Sequence, residues 1–198
     1  MKALIVFAHP GDDSFNHGIL RRVTAACERQ AMDWRLRNLY QINFQPVYSS
    51  EDMRRIEAKQ VSPDVEEEQI LVTESDLLVM IFPVWWWAPP AILKGWIDRV
   101  FTNGFAFHYK EKGPVGLLRG KQAVLFTTTR ESVQEMKTAG YDQLITRQIA
   151  QGVLSFAGFD PVIHKNFAAV PYVTAAERSR MLQEVDDTMS SLRLPLTV

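Results

Sequence analysis

Leu77-Leu78-Val79-Met80-Ile81-Phe82-Pro83-Val84-Trp85-Trp86-Trp87-Ala88-Pro89-Pro90-Ala91-Ile92-Leu93-Lys94-Gly95-Trp96-Ile97-Asp98-Arg99-Val100-Phe101 opens as an apolar run without alternation. That is the pattern of a strand buried on both faces of a parallel sheet. The run breaks at Pro83, and three adjacent tryptophans follow. After Pro89-Pro90 the chain resumes as an amphipathic helix, with Ile92, Trp96 and Val100 at i, i+4 and i+8. Three adjacent indoles cannot all enter one core. At least one is expected at a crevice beyond the carboxyl ends of the strands, where open α/β sheets bind ligands, and such a wall suits a large, flat, aromatic ligand. Taken alone, the tryptophans are also compatible with a buried aromatic cluster.

Working outward, the same strand-then-helix pattern recurs. Ala3 to Ala8 is an apolar run, and Ser14 is placed to cap a helix from Phe15 to Arg29. Trp34 to Tyr40 alternates as a strand nearer the sheet edge. Phe44 to Gln60 reads as an excursion with one short helix, and Pro63 and Asp64 open a helix from Val65 to Thr73. Beyond the central stretch, Asn103 to Gly120 is a connection and Gln122 to Phe126 a strand. A helix from Asp142 to Ala157 is expected to bury Ile145, Ile149, Val153 and Phe156 and to end at Gly158. Pro161 to Phe167 is the last strand, and Thr174 caps a final helix to Leu192. Five strands alternating with helices predict a single domain over residues 1–198. Its sheet is doubly wound and parallel, in the flavodoxin-like order 2-1-3-4-5, because parallel neighbours need right-handed helical crossovers. The loops after the first and third strands then open onto one crevice.

Composition excludes several classes. A net charge of -1 lacks the basic field of a nucleic-acid binder. The single cysteine, Cys27, forms no internal disulfide and reads as a small buried hydrophobe. The start of the chain is too short in apolar residues for a signal peptide before His9-Pro10-Gly11-Asp12-Asp13. No apolar run approaches the roughly 18 residues of a membrane span. These features predict a soluble cytoplasmic protein. No Cys or carboxylate stands at ligand spacing from a histidine, so no metal site is expected.

His9 through Asn16 is a turn leading into a helix N-terminus, where free N–H groups and the dipole favour phosphate. Ser14, Asn16 and the His9 ring add donors, whereas Asp12 and Asp13 oppose an anion; a capped helix with nothing bound is the alternative. There is no GxGxxG and no Walker lysine.

Ala8-His9-Pro10, Ser14-Phe15-Asn16, Phe82-Pro83-Val84-Trp85-Trp86, Pro90 to Phe101, Gly104-Phe105-Ala106-Phe107 and Gly152 to Phe159 together resemble the NAD(P)H:quinone oxidoreductase (DT-diaphorase) family, nearly end to end. The resemblance implies a flavodoxin-like fold, FAD with FMN as the alternative, and a homodimer. It implies ping-pong hydride transfer from NAD(P)H to flavin and on to a quinone or similar acceptor. His9, Ser14, Phe15 and Asn16 would hold the flavin phosphate and ribityl chain. Pro83, Val84, Trp85, Trp86 and Trp87 would line the ring edge, with Trp86, Phe105 and the partner subunit walling the substrate side. His108 lies in a loop that could reach the partner's crevice.

Two departures stand out. Where the family has Thr-Thr-Gly-Gly, this chain has Thr128-Thr129-Arg130-Glu131, whose side chains would crowd the crevice or force a different turn. Arg130 could place positive charge near the flavin, or form an exposed pair with Glu131. A tyrosine and a histidine that assist charge relay in animal members align with Val133 and Ala139, and Tyr141 stands nearby as a substitute. The altered turn keeps open a second reading, a flavin-binding ancillary subunit of a potassium-efflux system.

Overall fold

The computed structural model describes residues 1–192, so the last six residues of the expected domain lie outside the described residues. Its elements in chain order are β1 (Lys2–Phe7), α1 (Phe15–Arg29), β2 (Asp33–Asn38), α2 (Ser50–Glu57), α3 (Pro63–Glu74), β3 (Leu77–Pro83), α4 (Ala91–Val100), β4 (Phe107–Lys110), β5 (Gly113–Gly116), β6 (Gln122–Thr128), α5 (Val133–Ala139), a π-helix (Thr146–Ser155), β7 (Val162–Phe167) and α6 (Ala175–Ser191). The main sheet is parallel and runs β2-β1-β3-β6-β7, which is the expected 2-1-3-4-5 once the small antiparallel β4–β5 hairpin is set aside.

Every residue of β3 is buried, as its unbroken apolar sequence requires of a central strand covered on both faces. Its alternate residues serve two cores. Leu78, Met80 and Phe82 join Leu4, Val6 and Leu125 beneath α3, α4 and the π-helix. Leu77, Val79 and Ile81 join Ile5, Phe7, Val124 and Phe126 beneath α1 and α6. Each such side chain contributes about 1.5–3 kcal/mol of burial energy. Trp96 is fully buried, and its indole N–H donates to the buried Glu68 carboxylate at 2.9 Å. Arg37 Nε donates to the other Glu68 oxygen at 2.7 Å, so the carboxylate beneath α4 is paired. Cys27 lies in the second core, and burial pushes its thiol up to about 11.

Three helix starts carry reciprocal caps: Ser49 with Asp52, Ser132 with Glu135 and Thr174 with Glu177. The second belongs to α5, which the sequence reading passes over although the Ser-x-x-Glu spacing signals it. The β4–β5 hairpin is likewise unforeseen within the 103–120 connection.

The helix before β7 corrects an expectation. Ile145 and Ile149 are buried as expected, but Leu154 and Ala157 complete the buried face, while Val153 is half-buried and Phe156 is 39% exposed. A spacing of i+4 from Ile149 selects Val153 in an α-helix. The wider i→i+5 turn of the π-helix moves the inward position by one residue.

Gly95 lets α4 approach the excursion after β2: a Cβ there would lie 2.1 Å from the Pro46 carbonyl oxygen. Alanine is the better helix former by about 1 kcal/mol, yet here it collides with backbone. Gly95→Ala is therefore expected to destabilise the fold by about 1–3 kcal/mol in urea denaturation; a gain in stability would show that this close approach is not tight.

Candidate functional site

Three loops meet at the carboxyl edge of the sheet, after β1, β3 and β6. Thr128, the last residue of β6, ties them together. Its carbonyl accepts the Val84 N–H at 2.9 Å, and its hydroxyl accepts Asn16 Nδ2 at 3.0 Å. Ala8 N–H donates to the Ile81 carbonyl at 3.0 Å, binding the first loop to β3. The sequence-predicted residues His9, Ser14, Phe15, Asn16, Pro83, Val84, Trp85, Trp86, Trp87, Thr128, Thr129, Arg130 and Glu131 all sit on or beside these three loops.

The turn after β3 is strained. Trp85 and Ala88 exchange backbone bonds at 2.9 and 3.0 Å, closing a tight turn with Trp86 at φ +50° and Trp87 at φ +60°. Left-handed backbone costs a residue with a side chain about 1–2 kcal/mol, and strain of this kind collects at functional sites. Trp86 is 97% exposed. The Trp87 ring packs on Tyr141 with centroids 4.3 Å apart, which brings Tyr141 to the aromatic loop. The backbone N–H groups of Trp86 and Trp87 make no hydrogen bond among the described residues.

On the opposite side, the Ser14 hydroxyl accepts the His17 N–H and caps α1. His9 Nδ1 accepts the Gly11 N–H at 3.1 Å, so Nε2 carries the proton of the neutral ring. Burial, above all, lowers the His17 pKa. The Phe15 ring packs edge-on against Phe167 at 5.9 Å, so its aromatic surface serves the core. Asn16 is 3% exposed, and its Oδ1 has no partner among the described residues. A buried acceptor left without a donor costs about 1–3 kcal/mol.

The turn after β6 takes ordinary backbone. Arg130 and Glu131 take no positive φ, so their side chains force no strain. Thr129 N–H donates to the Phe167 carbonyl, and the Ala169 N–H donates to the Glu131 carbonyl. Arg130 is exposed, with its guanidinium 5.2 Å from the Tyr172 ring centre. Among the described residues it forms no ion pair with Glu131.

Phe105 and His108 are elsewhere. Phe105 packs against the first core, and both residues line a separate cavity of about 1080 Å³ with Ile56, Lys59, Val61 and Gln69. Within one chain they do not wall the crevice, because α4 carries the connection away from the strand ends. Thr127, His164, Asn166 and Tyr172 border or support the site without any signal in the sequence.

A parallel α/β sheet of this order with a strained aromatic loop at its topological switch point defines a flavodoxin-like protein. The family model described as "Flavodoxin-like fold" matches residues 1–189. A protein named uncharacterized NAD(P)H oxidoreductase from Haemophilus influenzae is 30% identical over 92% of this chain and 91% of its own. NAD(P)H dehydrogenase [quinone] 1 of Cavia porcellus is 35% identical over 80% of this chain and 65% of its own. The solved structure of NAD(P)H:quinone oxidoreductase from Methanothermobacter marburgensis superposes with TM-score 0.88 at 27% identity, covering 98% of this chain and 99% of that one. The chain belongs to the flavodoxin-like family, as a member of its NAD(P)H:quinone oxidoreductase group.

Proposed function

We propose that this protein is a flavin-dependent NAD(P)H:quinone oxidoreductase, built as a single flavin-binding domain over the whole chain. The observation that carries the reading is the crevice itself. An aromatic loop at positive φ faces a helix N-terminus across the strand ends, with backbone donors on one side and an orphaned buried acceptor on the other. These residues fit a flavin. The Trp86 and Trp87 N–H groups suit the carbonyl and nitrogen edge of its ring. Asn16 Oδ1 suits a donor such as a ribityl hydroxyl. The start of α1, with His9 Nε2–H, suits the phosphate.

Once bound, the flavin would supply the hydride chemistry in ping-pong fashion, accepting from NAD(P)H and delivering to the quinone. The chain's own residues bind and orient. Trp86 gives a flat apolar wall beside which donor and acceptor bind in turn, and Tyr141 braces Trp87 from behind. Tyr141, whose ring packs on Trp87, is the residue proposed to hold or pass a proton at its hydroxyl, the role that Val133 and Ala139 cannot fill. Thr128, Thr129 and Glu131 supply backbone at the ring's other edge. Because Arg130 lies on Tyr172, charge stabilisation near the flavin falls to backbone donors rather than to this guanidinium.

FAD is the proposed flavin, on the likeness to quinone dehydrogenases, and the mass of the cofactor released on denaturation tests it against FMN. A homodimer is proposed, in which Phe105 and His108 serve the partner's crevice, and the cytoplasm is the proposed location. No helix among the described residues is long and apolar enough to cross a membrane. The ancillary-subunit reading loses its footing, since it rests on the altered turn, which adopts an ordinary backbone. The flavin-loaded protein should oxidise NADH or NADPH with menadione far faster than free flavin. Equal rates would overturn the enzyme reading.

A further inference from the structure

Behind the Thr129–Glu131 turn runs a line of polar side chains drawn from β6, β7 and the π-helix. Thr146 Oγ1 lies 2.8 Å from His164 Nδ1, and His164 Nε2 lies 2.8 Å from Thr127 Oγ1. Thr127 Oγ1 is 2.8 Å from Asn166 Oδ1, Asn166 Nδ2 is 3.1 Å from Thr129 Oγ1, and Thr129 Oγ1 is 3.3 Å from the Glu131 carbonyl. Thr127 is fully buried and Thr129 nearly so.

The directions from Glu131 as far as His164 Nε2 follow from one end. The Glu131 carbonyl only accepts, so the Thr129 hydroxyl donates to it and must accept from Asn166. Asn166 therefore turns Nδ2 toward Thr129, an orientation its second neighbour, the Met136 sulfur at 3.9 Å, also favours. Oδ1 then faces Thr127, whose single hydroxyl proton goes to it. Thr127 consequently accepts from His164, which fixes a proton on Nε2. Burial lowers the ring's pKa to about 4, so at neutral pH the ring is the neutral Nε2–H tautomer and Nδ1 accepts from Thr146.

We propose that Thr146, His164, Thr127 and Asn166 form a one-way hydrogen-bond chain that positions Thr129 and the Thr129–Glu131 turn at the crevice, with His164 and Asn166 as positioning residues. A turn without glycines is thereby held in a single arrangement by the side chains behind it. The chain also gives the π-helix a function, because its first residue supplies the far end of the line. A buried polar chain of this kind acts as a unit: losing one link leaves its neighbours unsatisfied. The proposal rests on the flavin reading for its consequence, but not for its geometry.

Two measurements test it. Long-range ¹H–¹⁵N spectra of the purified protein at neutral pH should show one imidazole, absent in His164→Gln, with the proton on Nε2 and Nδ1 unprotonated. An Nδ1–H or doubly protonated ring overturns the chain. FAD titration of His164→Gln and Thr129→Val should each show affinity about tenfold weaker, and the double variant should be no worse than the poorer single. Thr129→Ser, which keeps the hydroxyl, should recover most of the affinity that Thr129→Val loses. Additive losses, or His164→Gln binding FAD normally, overturn the proposal. If the unmodified protein takes up no flavin, the functional reading fails separately. The same pair of variants is then compared by urea unfolding, where non-additivity upholds the chain and additivity removes it.

Discussion

Arg99→Leu is expected to cost the fold about 3–5 kcal/mol, the range for removing one partner of a buried ion pair. Arg99 sits in the last turn of α4 with its side chain 7% exposed and Asp52 opposite it at 9%. Its guanidinium reaches Asp52 Oδ1 at 3.0 Å, Ser62 Oγ at 2.9 Å and the Gln45 carbonyl at 2.9 Å, and it also pairs with Asp64. The same group lies 5.4 Å from the centre of the Phe44 ring. One side chain thus fastens the whole excursion between β2 and α3 to the helix that follows the aromatic loop. Leucine fills some of the volume but leaves the Asp52 charge buried, with only Ser49 bound to it. Asp64 is half-exposed and suffers less. The midpoint of thermal unfolding should fall by roughly 6–20 °C for a chain of this size.

The pH dependence gives a second reading of the same variant. Burial raises the Asp52 carboxyl pKa, but the Arg99 and Ser49 hydrogen bonds outweigh it, so the net shift is downward. At Asp64 burial is likewise outweighed, by hydrogen bonds from Arg99 and Ser62. A carboxyl held low in the fold contributes stability that is fully present above its unfolded value, near pH 4. That contribution is lost as pH falls through the folded value. In Arg99→Leu the Asp52 carboxyl keeps its burial and loses a main opposing contact, so its pKa rises and the variant favours the protonated form. The stability gap between the two proteins should therefore be widest near pH 7 and close as pH drops toward 4 and below. A gap that stays constant across that range would show that Arg99 acts by packing alone.

The architecture is legible in the sequence because burial on two faces leaves an unbroken apolar run, and β1, β3 and β6 each carry one. The cysteine and Trp96 are legible for the same reason: each sits at core spacing on a helix. Val153 and Phe156 mislead because their reading assumes 3.6 residues per turn, and the π-helix winds more widely. The aromatic loop is half legible. Three adjacent indoles announce a surface element, but no residue preference predicts left-handed backbone at Trp86 and Trp87, which the Trp85–Ala88 closure imposes. Arg130 is opaque for another reason. Its sequence neighbour is Glu131, yet its ring partner is Tyr172, 42 positions on, brought close only by the fold. His164 and Asn166 show the same limit, since the sequence places them on the last strand without saying which hydroxyls stand opposite.

Asn16→Leu is expected to separate cofactor binding from folding. Leucine nearly matches asparagine in shape, so little cavity is created at this buried position on the first turn of α1. Two polar contacts change. The Nδ2 bond to Thr128, 3.0 Å long, is lost, which costs about 0.5–1.5 kcal/mol. The unpartnered Oδ1 is removed as well, and its desolvation penalty of about 1–3 kcal/mol disappears with it. Without flavin the variant should thus match or exceed the unmodified protein in urea denaturation. With flavin the balance reverses. If Oδ1 accepts a ribityl hydroxyl, leucine leaves that hydroxyl buried and unpaired, and the slack in the Thr128 tie loosens the junction of the three loops. FAD affinity should fall about 10- to 100-fold, the equivalent of about 1.4–2.8 kcal/mol. Gel filtration of the variant should then yield mostly colourless protein whose unfolding midpoint is no lower than that of the flavin-free unmodified protein. Retention of FAD at the unmodified affinity would remove Asn16 from the site. A loss of affinity matched by an equal loss of stability would instead make it a structural residue, because a purely structural change weakens the fold whether or not flavin is present.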